Sequence, residues 1–320
     1  MQITSDIRRL LHREPLDQDA AARLWGAMLD DAVDDIEIGA TVAALAVSEE
    51  TREELMGLYA AVRARLTHWS PSIAGMAVSI PAYGLVPGES LIVSLAVALL
   101  RRFDVPVVIH GVLDSPCGVS SACVLRELGI LPCASLSQAD DKMREEGTAF
   151  LPVQLLSPAF ASLIALRSRL GIENSAHLVA MALDATQGGA TRLTYCVDGT
   201  ASARFDKIAA EVEGDSIALT WQAGRSPLNL SVRPRIERIN AGARELLFES
   251  DAREARTASA QPPEDALGIA RWIQRVTTGA MPVPVPALNL VAACLYAVGR
   301  APDLGQAKAI AAFKAGRLAA

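Results

Sequence analysis

Val107-Val-Ile-His110-Gly111, followed shortly by Ser121-Ala-Cys-Val-Leu-Arg-Glu-Leu-Gly129, decides the fold of this chain. An apolar run closing on His-Gly, a loop, and a segment with apolar Ala122, Leu125 and Leu128 read as strand, loop and helix. In open α/β sheets ligands sit just beyond the carboxyl ends of the strands, so His110 and Gly111 fall where a site belongs. Each has two readings. His110 is either a hydrogen-bonding group of a pocket or a satisfied core histidine. Gly111 either permits close approach of a ligand or serves a turn that needs positive φ.

The same alternation extends outward. Met76-Ala-Val-Ser-Ile80 reads as a strand, Ser90 to Leu100 as a helix and Val105 to Ile109 as the next strand. Further strands are expected at Ala149 to Val153, near Thr194 and near Leu219, with a helix from Ala159 to Leu170. Alternation of this kind predicts an α/β domain with a mostly parallel central sheet. Ahead of it, residues 17–65 read as three or four amphipathic helices. Asp17 is the expected N-cap of the first, and Thr51-Arg-Glu-Glu54 is a capping-box pattern. Asp30, Asp31, Asp34 and Asp35 at a helix junction read as N-terminal acids rather than a metal site. Residues 67–75 form the expected linker, dividing a helical domain (1–70), expected to dimerise, from the α/β domain (71–320). The patch 257–263 reads as a surface loop, and Pro282 to Pro286 as an extended connector before a last helical pair.

Composition excludes several classes. Of 320 residues, 51% are apolar and 4% aromatic, which predicts a core of Ala, Leu and Val and disfavours a sandwich. The uncharged stretches 66–88 and 277–299 are each broken by three prolines, so neither reads as a membrane helix. Met1 to Arg9 has no apolar run of the secretory kind. Five cysteines without CxxC, and four histidines, argue against a zinc site or disulfide framework and for a reduced, cytoplasmic setting. Cys117 and Cys123 have no base beside them in sequence and read as packing. The net charge of −6 resides in residues 1–70, where 7 basic face 13 acidic residues; the rest balances at 23 each. Such a chain binds nucleic acid nonspecifically only if its basic residues gather on one face. Arg225, Arg233, Arg235, Arg238 and Arg244 are the one concentrated basic stretch. Val232-Arg-Pro-Arg-Ile236 alternates as an edge strand would, placing Arg233 and Arg235 on one face. The alternative is a charged face that discourages edge pairing.

His110-Gly111 and Ser121-Ala122 resemble the anthranilate phosphoribosyltransferase family, whose strand ends Lys-His-Gly-Asn and whose helix begins Gly-Ser-Ala-Asp. Ile109, Val112, Ser120 and Cys123 replace the Lys, Asn, Gly and Asp. Ile38-Gly39-Ala40, Pro158-Ala159-Phe160, Arg167-Ser-Arg-Leu-Gly171 and Asn289 to Gly299 are similar to further family segments in the same order. The resemblance implies a small N-terminal helical domain plus a large α/β domain of the nucleoside phosphorylase/phosphoribosyltransferase fold. It also implies where the chemistry has gone. The family's Gly-Thr-Gly-Gly-Asp loop falls on Pro81-Ala82-Tyr83-Gly84-Leu85, where only Gly84 survives and Pro81 lacks an amide donor. The family's Asn-x-Ser-Thr becomes Leu91-Ile92-Val93-Ser94, keeping one hydroxyl at Ser94. The metal-holding Asp-Glu should fall near 225–232, which has no acid, and the His before Pro-Ala-Met is Ser157. Arg167, which in the family faces the aromatic acid, remains, and His177 falls on a family Asn.

Because the diphosphate and metal side is the more damaged, the chain is expected to lean away from catalysis. Ile80-Pro81-Ala82-Tyr83 and Ile109-His110-Gly111 resemble the YbiB-like branch, which implies a nucleic-acid-binding homodimer. The expected vestigial pocket is Tyr83, Gly84, Ser94, His110, Gly111, Ser121 and Arg167, with Arg233 and Arg235 as nucleic-acid contacts. No catalytic residue, metal or cofactor is expected. The alternatives are a glycosyltransferase, either phosphoribosyltransferase or phosphorylase, with an altered substrate, and a purely structural or regulatory dimer.

Overall fold

The computed structural model describes residues 2–318 apart from 72–75, 116–117, 187–188, 198, 210, 224, 226–228 and 252–262. Cys117, part of the 67–75 linker, most of the 257–263 patch and three positions of the 225–232 stretch lie outside the described residues.

Four helices, α1 (Gln2–Leu11), α2 (Gln18–Leu29), α3 (Asp35–Ser48) and α4 (Arg52–Arg63), form an N-terminal bundle. Local chemistry sets their starts. Asp17 accepts from the Ala20 amide at 2.8 Å, and Asp34 with Glu37 and Thr51 with Glu54 close reciprocal capping boxes. Asp30 binds Arg65 at 2.6 Å, so the junction acids include a cap and a paired surface charge. Helix α1 lies ahead of the expected helical span; Ile3, Ile7 and Leu10 give it its apolar stripe, with Ile7 and Leu10 buried. Helix α4 closes on α2 at Gly57, where a Cβ would stand 2.6 Å from the Ala21 Cβ.

The α/β part holds β1 (Ala77–Ala82), α5 (Glu89–Arg102), β2 (Val107–Gly111), α6 (Ser121–Glu127), α7 (Leu136–Glu146), β3 (Thr148–Pro152) and α8 (Val153–Leu156). Then come α9 (Pro158–Leu170), α10 (Ser175–Ala182), β4 (Ala190–Val197), α11 (Thr200–Ala209) and β5 (Ser216–Trp221). The chain ends with β6 (Arg235–Asn240), β7 (Ala243–Phe248), α12 (Ala266–Thr277), α13 (Val285–Ala297) and α14 (Leu304–Leu318). Helix α10, although beyond residue 70, packs back on α3 and α4. The sheet order is β3-β2-β1-β4-β5-β6-β7; β1 to β5 run parallel, and β6 and β7 antiparallel.

Both faces of this sheet are covered, which is why its strands read as continuous apolar runs. Val107 and Ile109 join the core that contains α5, while Val108 packs with Ala77, Leu151 and Trp69 on the other face. Trp69, just after the bundle, is fixed there by donating its indole N–H to Asp140 at 2.9 Å. The strand order reverses between β1 and β4, a topological switch point. None of the helices is long and apolar enough to cross a membrane, among the described residues.

Two expectations need correction. Val232–Ile236 reads as an edge strand, but β6 begins at Arg235 and is covered by β7. Ala241 and Gly242, with φ of 47° and 79°, form the tight turn that folds β7 back on it. Arg233 therefore precedes the strand, in an isolated bridge to Asp251. The second concerns Gly111, which is absent from the positive-φ residues and sits inside the ladder opposite Ala82. A Cβ there would stand 1.9 Å from the Ala82 carbonyl oxygen, so the close approach is of strand to strand.

Gly111→Ala should therefore force β1 and β2 apart. A loss of about 3 kcal/mol by urea denaturation is expected; a loss under about 1 kcal/mol would show that this part of the sheet has slack.

Candidate functional site

Pro81 has no N–H, and the β1–β4 ladder stops at Ser79–Arg192, two residues before it. The Pro81 carbonyl instead accepts from the hydroxyl of Tyr195, on β4, at 2.5 Å. The strands part beyond this point, at the switch point. A cavity of about 220 Å³ lies there, lined by Leu85, Val86, Pro87, His177, Tyr195 and Phe205 among others.

The loop leaving β1 is tied from three directions. Tyr83 is buried, and its hydroxyl and His110 Nδ1 are 2.9 Å apart in a hydrogen bond, with the rings edge to face. Either tautomer of His110 satisfies this bond, and in both Nε2 is left without a partner among the described residues. Arg167, on α9, donates to the Gly84 carbonyl at 3.1 Å and pairs with Glu173 at 2.9 Å. Glu89, in the first turn of α5, reaches back with both carboxylate oxygens. The Gly84 amide donates to Oε1 at 2.7 Å and the Leu85 amide to Oε2 at 2.7 Å. The carboxyl group is fully buried, which pushes it up to about 6 against the opposing pull of these amides and of the Tyr195 hydroxyl.

The expected pocket residues are thus partly assembled and partly dispersed. Tyr83, His110, Gly84 and Arg167 form one connected arrangement, in which Tyr83 and His110 are buried. Gly111 belongs to the ladder. Ser94 and Ser121 are buried with hydroxyls that have no partner among the described residues. The cap of α6 is Ser120, which accepts from the Cys123 amide. His177 completes the capping box of α10, whose N-cap is Asn174: the Asn174 amide donates to its Nδ1 at 3.3 Å, and the ring also borders the cavity. The Cys294 thiol is pushed up to about 12 by burial, an inert packing group. Glu89 and Tyr195 were not anticipated. Their signal was slender: an acid opening a helix five residues after Gly84, and a tyrosine in a strand read only by position.

The basic stretch is matched by acids. Arg235 pairs with Glu237 at 2.9 Å, Arg238 with Asp215 at 2.5 Å and Arg244 with Asp206 at 2.6 Å. Arg233 donates to the Glu249 carbonyl at 2.8 Å. A diphosphate with its magnesium is what the phosphoribosyltransferase fold implies, and the residues present do not fit it. Both loop amides already hold an anion and Pro81 offers none. Among the described residues, no three His, Cys, Asp or Glu side chains converge on a cation position.

Residues 5–66 match the helical bundle domain of the glycosyl transferase family. The Escherichia coli protein YbiB, itself uncharacterized, is 30% identical over 297 residues, covering 92% of each chain. Anthranilate phosphoribosyltransferase of Gluconobacter oxydans is 32% identical over 186 residues, 56% of this chain and 50% of that protein. Among solved structures, anthranilate phosphoribosyltransferase from Thermus thermophilus superposes with a TM-score of 0.75 at 18% identity, covering 98% of this chain and 95% of that one. The Saccharomyces cerevisiae enzyme in complex with PRPP and Mg gives 0.74 at 12% identity, covering 99% and 94%. At these identities the two structures establish the fold alone.

Burial lowers both His110 and His177 to about 4, with Asp184 opposing the shift at His110. Their folded values lie below the ordinary histidine value, so the stability they contribute is complete above about pH 6.5 and is lost as pH falls through 4. Glu89, raised, works in the opposite sense: its contribution is complete below the ordinary carboxylate value and lost as pH rises through about 6. Two histidines outweigh one carboxylate, so unfolding free energy should fall between pH 6.5 and 4.5. His177→Gln should flatten that slope by up to about 1.4 kcal/mol per pH unit. An unchanged slope in urea denaturation across this range would show that His177 is not held neutral.

Proposed function

The chain belongs to the family of Escherichia coli YbiB, and on that premise we propose that it is a homodimeric, non-catalytic binding protein built on an anthranilate phosphoribosyltransferase scaffold. One observation carries this reading: the two amides of the loop after β1 hold the chain's own Glu89 carboxylate, while Tyr83 and His110 fill the ground beside it. Phosphoryl and pyrophosphoryl groups are stabilised by donors aimed at developing charge, and here those donors are engaged. A transferase with an altered acceptor would keep the diphosphate side and change the aromatic-acid side. In this chain Arg167, on the acceptor side, remains, and the diphosphate side is closed.

Dimerisation is supported by the bundle's surface, where Leu11 of α1 and Ile36 and Val47 of α3 are 58%, 83% and 68% exposed. A bundle this small gains from covering such side chains with a second copy. The ligand class we assign is nucleic acid, met at the outer strands. Arg235 is half-exposed there, and its pair with the exposed Glu249, at 4.0 Å, contributes only about 0–1 kcal/mol, so that partner is exchangeable for phosphate. Binding of this kind is insensitive to sequence and steeply dependent on salt.

With anthranilate, phosphoribosyl diphosphate and Mg²⁺, turnover is expected to stay at background, and turnover above it overturns the non-catalytic reading. Sedimentation at micromolar concentration should show a dimer that binds duplex DNA at low salt. Arg233→Ala with Arg235→Ala should flatten the dependence of log affinity on log salt by about one unit per lost contact. An unchanged slope and affinity would make this face an ordinary charged surface. A monomer, or no binding at low salt, removes the corresponding half of the proposal.

A further inference from the structure

At the amino-terminal ends of β4 and β5, opposite the crevice at the switch point, a cavity of about 160 Å³ lies between the bundle and the α/β part. Tyr59 and Arg63 of α4 form one wall. Asp184, Arg192 of β4 and Glu213 of the turn before β5 form the other, and Leu66 and Leu183 add apolar surface. Two of the lining groups are deeply buried and incompletely partnered. Arg192 is 3% exposed, and burial works against its charge. It donates to the carbonyls of Val212, Glu213 and Gly214, which leaves part of its N–H fork unengaged. The carboxylates that act on it, Asp184 and Asp215, do so without a hydrogen bond. Tyr59 is 8% exposed, and burial pushes its phenol up, so it keeps its proton. Arg192, Arg63, Asp184 and Glu213 all reach it through space and none by a hydrogen bond. All of them line the cavity, so the hydroxyl faces it. A tyrosine hydroxyl buried to this degree normally has a partner. The Arg63–Glu213 ion pair at 2.9 Å spans the mouth, and both side chains are exposed, so this latch holds weakly and can open.

We propose that this cavity is a binding site for a small zwitterion, an α-amino acid with an aliphatic side chain. Its carboxylate meets the unengaged N–H groups of Arg192 and the Tyr59 hydroxyl. Its ammonium group lies toward Asp184 and Glu213, and its side chain packs on Leu66 and Leu183. A simple anion would face two carboxylates here and a simple cation two guanidinium groups. Only a molecule carrying both charges is matched on both sides. Because Tyr59 belongs to the bundle and Arg192 to the sheet, the occupant fastens one to the other. The site stands apart from the crevice and is independent of the closed-scaffold reading.

The test is L-valine, titrated into the full chain by calorimetry and followed by thermal unfolding. Beside it run 3-methylbutanoate, which lacks the amino group, and 2-methylpropylamine, which lacks the carboxylate. One L-valine should bind per chain, saturably, and raise the unfolding temperature. Each analogue should bind at least about tenfold more weakly. Tyr59→Phe removes the hydroxyl and breaks no hydrogen bond within the chain. It should unfold at the wild-type temperature without ligand and bind L-valine at least about fivefold more weakly. Glu213→Gln should narrow the preference for L-valine over 3-methylbutanoate. Absence of saturable L-valine binding would leave a cavity that holds only water and overturns the proposal. Equal binding of 3-methylbutanoate overturns the zwitterion, and undiminished binding to Tyr59→Phe places the ligand elsewhere and overturns the site.

Discussion

The backbone N–H that Pro81 lacks governs the carboxyl end of β1. A parallel strand pairing on both sides needs a donor at every second residue on each side, and β1 loses β4 just before Pro81. The carbonyl of the same residue, left outside the β1–β4 ladder, takes its partner from a side chain. Tyr195 gives its hydroxyl to the Pro81 carbonyl and stands beside Glu89, Glu89 holds Gly84 and Leu85, and Gly84 is held in turn by Arg167. One missing ladder bond thus leads to a connected set of buried polar contacts that fixes the loop. Where the strands part, the cavity opens, so the crevice of the fold persists although its mouth is furnished differently.

Local chemistry was readable in the sequence, and long-range chemistry was not. Asp17, Thr51 and Glu54 announce helix starts because a cap involves residues three apart. The apolar run 107–111 announces a strand because both sheet faces are covered. His110 and Tyr83 are 27 residues apart, and only the β1–β2 register brings them together. That register also decided Gly111, whose two sequence readings both concerned a ligand or a turn, whereas the constraint is the Ala82 carbonyl. The basic stretch misled for a related reason: alternation locates a face but cannot show that Ala241 and Gly242 fold β7 over it, nor that Asp206 and Asp215 arrive from elsewhere.

Charge is handled in two ways in this molecule, and the contrast separates site from surface. On the outer strands arginines meet carboxylates at distances near 2.5–2.9 Å, in positions from half-exposed to largely buried, so each of these charges has a side-chain counter-ion. At the loop a single carboxylate is dry and has backbone donors in place of a counter-ion. Desolvation there is expensive, and its signature is the upward shift of Glu89. Such an arrangement persists only if the donors are fixed in advance, because mobile amides would relax toward water.

That requirement connects the loop to the rest of the fold. Tyr83 beneath it is clamped by His110 on β2, Arg167 clamps it from α9, and α9 is anchored through Glu173 and the Asn174 cap of α10. Helix α10 in turn packs on α3 and α4. The amides that hold Glu89 are therefore positioned by contributions from both the sheet and the helical bundle. In a transferase such fixation would preorganise donors for a leaving group. In this chain the fixation is directed at an internal carboxylate. Fold and function are separable in this way because the scaffold positions donors without specifying which anion they meet, and in this chain helical position 89 supplies an anion from within.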